Sequence, residues 1–187
     1  MIDPSKITNY NRTEEELEEF LLFTIMVAGK SAIQTAKKLN EFLYFADNKK
    51  SPLDTIIDRD NRSCLLYAMR MCKLGQYDRL EKAFKGIIQF KNRLKSVTIE
   101  ELESVYGIGS KTSRFFILHS RPDQQIAVLD THILKWMYSQ GYDVPKATPR
   151  KELYGKIEKD FLTEAWKREK TPAEFDLEIW KSYANND

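Results

Sequence analysis

Residues 105–118 read VYGIGSKTSRFFIL. Two glycines flank one apolar residue, and stretches of helical spacing lie on either side. Gly107 and Gly109 permit backbone angles that other residues avoid. Such a turn can press close to a neighbour and aim its amides outward. Ser110, Lys111 and Thr112 stand at the start of the second helix, where unpaired backbone N–H groups bind phosphate oxygens. The local physics is that of an anion-binding hairpin. Taken alone, the same residues read equally well as a glycine turn that merely joins two helices.

Outward from this turn the pattern stays helical. Thr98 is an N-cap, with Glu101 at the third helical position, for a short helix over 98–105. The second helix covers 110–119. Pro122 marks a loop, and a further helix runs from near Asp130 to Gly141. Two last helices, over 149–169 and 172–184, begin at prolines. On the N-terminal side, Thr13 and Glu16 form a capping box for a helix through Leu17, Phe20, Leu21, Phe23, Thr24 and Val27, stopping near Gly29. A second helix follows Ser31. Residues 47–60 read as loop with one helical turn. Helices over 61–74 and 78–92 are split at Gly75-Gln76-Tyr77, and the last few residues fray. There is no repeat, no low-complexity tract and no convincing strand. The expected class is all-α.

The chain has 187 residues, 42% of them hydrophobic, enough for a real core in one domain. Its net charge of +2 does not by itself announce a nucleic-acid binder. Local charge says more. Lys73, Arg79, Lys82, Lys85, Lys91, Arg93 and Lys95 face only Asp78 and Glu81, whereas Glu14, Glu15, Glu16, Glu18 and Glu19 make an acidic first turn. That polarity either orients one face toward phosphate or is an ordinary solvated surface. The two cysteines, Cys64 and Cys72, are too few for an iron–sulfur cluster or a four-cysteine zinc site. They read as a buried reduced pair, which fits an intracellular protein. No apolar run reaches membrane-spanning length and Met1 begins no signal peptide, so a prokaryotic cytoplasmic setting is expected.

The hairpin Tyr106-Gly107-Ile108-Gly109-Ser110-Lys111-Thr112 resembles that of the helix-hairpin-helix DNA glycosylases, the superfamily that includes endonuclease III and the 8-oxoguanine glycosylases. The family's second mark is an apolar pair and an Asp at a helix start, often with a His two residues on. Here it is IAVLDTHIL, residues 126–134, with Asp130 nineteen residues after Lys111. The resemblance is clear over about 15–140. It implies a single domain of two helical lobes, one over about 30–125 and the other made of 1–29 with 126–187, with the active-site cleft between them. It also implies a monomer acting on damaged double-stranded DNA, with no membrane partner.

By that resemblance Lys111 is the nucleophile and Asp130 the activating carboxylate, while His132 contacts a phosphate or is a plain surface histidine. MCKLGQYDRLEKAFKGI, residues 71–87, is similar to the family's Leu-Gly-x-Tyr turn. Tyr77 is then a wedge, or else a helix-start aromatic packed on the core. VAGKSAIQTAKKL, residues 27–39, is similar to the first helix pair, where Lys30 or Gln34 fills the gap left by the flipped base. EFDLEIW, residues 174–180, resembles the Asp-x-x-x-Trp of the archaeal type of 8-oxoguanine glycosylase. Phe115 and Trp180 then sandwich the extruded base and Asp176 accepts its N–H groups; the alternative is a core Phe and a Trp sealing the last helix. With the cysteines missing, the match moves to the cluster-free branch. No metal or cofactor is expected, apart from a monovalent cation that the hairpin carbonyls can hold.

The residue types suit the reaction. A lysine amine attacks the sugar C1′ only when neutral, and desolvation and a helix N-terminus both favour that form. An unpaired carboxylate at a helix start is favoured in its charged form. The expected activity is release of 8-oxoguanine through a lysine Schiff base with β-elimination. The alternatives are the same chemistry on oxidised pyrimidines, or a non-catalytic helix-hairpin-helix DNA-binding module, which needs the glycines but not Lys111 with Asp130.

Overall fold

A computed structural model describes residues 1–45, 50–149 and 151–184. Among the described residues there are ten α-helices, one 3-10 turn over Ile88–Phe90 and no strand. The helices are α1 (Glu14–Met26), α2 (Ala32–Leu43), α3 (Pro52–Asn61), α4 (Leu65–Met71), α5 (Tyr77–Ile87), α6 (Ile99–Glu103), α7 (Ser110–Ser120), α8 (Thr131–Ser139), α9 (Lys151–Lys167) and α10 (Pro172–Ala184). The all-α expectation holds.

The capping signals behave as read. Thr13 Oγ1 accepts from Glu16 N at 3.2 Å while Glu16 Oε2 accepts from Thr13 N at 2.8 Å, closing the capping box of α1. Phe20, Leu21, Leu22, Phe23, Ile25 and Met26 are all buried. A helix apolar on every side needs neighbours on every side. Accordingly α1 packs on α2, α3, α5 and α7 and belongs to the larger core, which draws on residues from Ile2 to Ile117. A second core unites α8, α9 and α10 around Phe161 and Phe175.

Residues 47–60 read as loop with one helical turn, and 47–49 lie outside the described residues. From Pro52 the chain is instead helical. Ser51 caps it, Pro52 opens it, and Leu53 and Ile56 are buried on its inner face. The buried Glu18 of α1 also accepts from Leu53 N at 3.0 Å, so a distant carboxylate satisfies one N-terminal donor of α3. Burial raises the pKa of this Glu18 carboxyl above its usual range. Polar residues hid a helix whose first turn is completed by another element.

The basic stretch is largely paired. Lys82 meets Asp78 at 3.0 Å, Lys85 meets Asp60 at 2.8 Å, Arg93 meets Glu101 at 2.9 Å, and Lys91 meets Asp54. Four of the seven basic residues are therefore matched by i,i+4 partners and by acids of α3 and α6. Cys72 is buried and Cys64 only partly so; both are free thiols.

Candidate active site

The hairpin joins α6 to α7, and its two glycines have different jobs. Gly107 adopts φ +86, a conformation in which side chains are strained. A Cβ there would stand 2.9 Å from Arg79 Cγ and 3.4 Å from the Arg79 carbonyl oxygen. Arg79 Nη1 donates to the Gly107 carbonyl at 2.9 Å and Nη2 to the Ile25 carbonyl at 2.9 Å. One guanidinium thus clamps the hairpin against α5 and the last turn of α1. Gly109, the N-cap of α7, has extended backbone, and a Cβ there would meet open space. The Gly107 carbonyl already faces a guanidinium, and the Val105 carbonyl accepts Ile108 N–H at 3.1 Å. A monovalent cation at Gly107 would meet like charge, so that carbonyl does not fit one.

Lys111, Phe115 and His119 follow at intervals of four and share one face of α7. Lys111 Nζ lies 5.2 Å from the centre of the Phe115 ring. Asp130 is the N-cap of α8. Its Oδ1 accepts from His132 N at 2.9 Å and from Ile133 N at 3.0 Å. The carboxylate is therefore not unpaired, as the sequence suggested. One oxygen is fixed by the cap, which sets the direction of the other.

The segment leading into Asp130 is held by residues that the sequence did not single out. Tyr154 Oη donates to the Ala127 carbonyl at 2.7 Å and accepts from Leu129 N at 3.1 Å. Burial raises the Tyr154 pKa above its usual range, so the hydroxyl keeps the proton it donates. Thr148 Oγ1 donates to the Leu129 carbonyl at 2.9 Å. Glu158 Oε1 accepts both Ala127 N at 2.9 Å and Arg114 Nε at 3.1 Å. Arg114 lies three residues after Lys111, so this network couples the lysine's helix to the carboxylate's segment. Nothing in the local sequence around Tyr154 or Glu158 signals that duty.

Lys111, Phe115, Asp130, His132, Asp176 and Trp180 all line one cleft of about 1420 Å³. Ile108, Gly109, Ser110 and Thr112 line it too, whereas Gly107 does not. Trp180 is half-buried, and Asp176 is only 6% exposed. Asp176 Oδ2 and His119 Nε2 are 3.1 Å apart. Burial raises the Asp176 carboxyl above its ordinary range, and the histidine pulls it back part of the way. His132 has a buried Nδ1 without a hydrogen-bond partner among the described residues, and its ring centre lies 6.4 Å from that of Tyr183.

The candidates for the duplex interior separate. Lys30 lines the cleft, with Nζ donating to the Leu74 carbonyl at 2.8 Å, and burial lowers its amine's pKa. Gln34 is exposed and stands outside the cleft lining. Tyr77 is half-buried against the larger core, with the Arg70 guanidinium 5.9 Å from its ring centre, and is also outside the lining. The sequence reading missed Ile33, which is 72% exposed and lines the cleft. It also missed His119, although the four-residue spacing from Lys111 and Phe115 carried that signal.

A family model described as 8-oxoguanine DNA glycosylase matches residues 3–169. The fold is similar to that of the Methanocaldococcus jannaschii 8-oxoguanine glycosylase/lyase, crystallised with a 15mer DNA containing 8-oxoguanine. That match has a TM-score of 0.74 at 21% identity and covers 97% of this chain and 88% of that one. The 8-oxoguanine DNA glycosylase of Thermotoga maritima is similar with a TM-score of 0.69 at 21% identity, covering 94% of this chain and 84% of that one. Among the described residues, no helix is long and apolar enough to cross a membrane.

Proposed function

The chain belongs to the 8-oxoguanine DNA glycosylase family, and from that premise we propose that it releases 8-oxoguanine from duplex DNA and cuts the strand at the resulting abasic site. The observation that carries this reading is the convergence of Lys111, Asp130, Phe115, Asp176 and Trp180 on one cleft, from α7, the start of α8 and α10. A structural relative solved on DNA containing 8-oxoguanine supports the choice of substrate.

The lesion nucleotide leaves the stack, which costs a few kcal/mol and less for a damaged pair. Phe115 and Trp180 sandwich the base, each contact returning roughly 1–3 kcal/mol. Asp176 accepts N–H groups of the purine. Amides at the start of α7 and the His132 ring hold phosphates, with Lys30 and the exposed Ile33 nearest the gap that the base leaves. Lys111, as the free amine, attacks C1′. The C1′–N9 bond breaks and the base departs with that electron pair, taking up a proton. Opening of the sugar converts the lysine adduct to a Schiff base. Loss of a C2′ proton then expels the 3′ phosphate. Asp130, with Oδ1 fixed in its cap, offers Oδ2 to the positive charge developing at C1′. The protein acts as a monomer on the duplex.

Borohydride trapping tests this directly. Wild type and Lys111→Gln are mixed with a duplex carrying 8-oxoguanine opposite cytosine. A covalent protein–DNA adduct that needs Lys111 supports the reading. No adduct on this lesion but one on oxidised pyrimidines moves the substrate. No adduct on any lesion or abasic site leaves only a DNA-binding module.

A further inference from the structure

We infer that His119 is a positioning residue, which with Thr8 locks the Asp176 carboxylate as a hydrogen-bond acceptor for the extruded base. The inference rests on the proposed function for its substrate, not for its geometry. His119 is fully buried, two turns after Lys111 on the same face of α7. Its Nδ1 is 2.8 Å from Thr8 Oγ1 and its Nε2 is 3.1 Å from Asp176 Oδ2. Its ring stands edge-on to Phe115, with centres 5.0 Å apart and planes at 77°. Its backbone carbonyl accepts Asn9 N at 3.1 Å and Arg12 Nη1 at 2.9 Å. The Arg12 guanidinium is itself buried, 3.9 Å from the centre of the Phe20 ring. The imidazole is therefore held from the N-terminal segment, from α7 and from α10 together.

A neutral imidazole has one N–H and one lone pair. When the Thr8 hydroxyl donates to Nδ1, the N–H must be at Nε2, and it donates to Asp176. Asp176 is then a carboxylate with Oδ2 occupied, and Oδ1 remains to accept from a base in the cleft. The opposite arrangement puts the proton on Nδ1 and leaves Nε2 facing Asp176 as an acceptor, so Asp176 must carry a proton of its own. In that case the proton sits on Oδ2 and points to Nε2, so Oδ1 accepts only as a neutral oxygen, without the charge that strengthens a carboxylate's hydrogen bonds. The Thr8 hydroxyl can donate or accept, so the acceptor-only carboxylate of Asp176 is what holds the proton on Nε2, with Thr8 then donating to Nδ1, and the edge contact fixes the ring on which the base stacks.

An abasic site has no base to recognise, so the two substrates separate positioning of the base from general support of the fold. His119→Leu should slow single-turnover release of 8-oxoguanine by about 10-fold or more, the loss expected when a buried polar partner is left unmatched. Strand cleavage at a preformed abasic site should change by less than about 3-fold, since no contact of the base is involved. His119→Gln, which keeps a side-chain N–H, should recover most of the loss, and Thr8→Val should show a smaller loss of the same kind. Equal losses on both substrates, or no loss on the lesion, overturn the inference. ¹⁵N NMR of the two histidines of the wild-type protein reads the tautomer without substrate. A proton on Nε2 of His119 is expected, and one on Nδ1 overturns the inference. If wild type cuts abasic DNA yet leaves 8-oxoguanine in place, the proposed substrate fails while the NMR result still decides the role of His119.

Discussion

Nζ of Lys111 lies 5.2 Å from the centre of the Phe115 ring, one turn along the same face of α7. A cation is attracted to an aromatic face, but so is a base. A base stacked on that face competes with the lysine for it and turns the amine toward the sugar. Phe115→Leu should therefore weaken lesion binding by roughly 1–3 kcal/mol, the value of one base–aromatic contact. Its readout is the affinity of catalytically inactive Lys111→Gln with and without Phe115→Leu, on lesion and undamaged duplexes. Equal weakening on both would mean that Phe115 serves only the fold.

On the proposed function Asp130 carries two duties on two oxygens, and they separate by substitution. Asp130→Asn keeps an acceptor for the N–H groups of His132 and Ile133, and Asn is as good an N-cap as Asp. Its melting temperature should match wild type, while single-turnover base release falls by about 10²-fold or more. Asp130→Ala should lose the same activity and also about 1 kcal/mol of stability. An active Asp130→Asn enzyme would remove the carboxylate's charge from the mechanism.

The hairpin glycines should respond oppositely. Gly107→Ala forces a side chain into a left-handed conformation against Arg79, costing about 1–2 kcal/mol or more. Denaturant unfolding measures it. Gly109→Ala meets no atom and needs no strained backbone, so its stability should stay within about 0.5 kcal/mol of wild type. Its DNA affinity should nevertheless fall, because on the proposed function the added methyl stands where a phosphate approaches the N-terminus of α7. Unchanged affinity would remove the phosphate from this turn.

Acid should loosen the C-terminal core through Glu164. Lys167 Nζ at 2.8 Å, the Arg168 guanidinium and the Tyr142 hydroxyl at 2.8 Å hold its carboxylate, chiefly the lysine, and lower its pKa to about 2. A depressed folded-state value adds stability above the unfolded-state value near about 4.3, and loses it as pH falls from there toward the folded-state value. Glu164→Gln should melt roughly 2–4 °C below wild type at neutral pH, the shift that about 1 kcal/mol gives at this size. The gap should shrink as pH falls below about 4. A gap independent of pH would assign the effect to packing.

Most of the helices, the hairpin and the residues proposed to react are legible in the sequence, because those signals are local. The Thr13 and Thr98 capping boxes, the Gly107–Gly109 turn and the four-residue spacings of Lys111 with Phe115 and of Asp176 with Trp180 are written within a few residues. Long-range contacts supply the rest. They turned the polar stretch after Pro52 into a helix with Glu18 at its start, placed α1 in the larger core, and matched Lys85, Lys91 and Arg93 with acids from α3 and α6. They brought Tyr154 and Glu158 to the segment before Asp130, and Thr8 and His119 to Asp176. Spacing along a chain records which residues share a face; it carries no record of a partner one hundred and eleven residues away, as Thr8 is from His119.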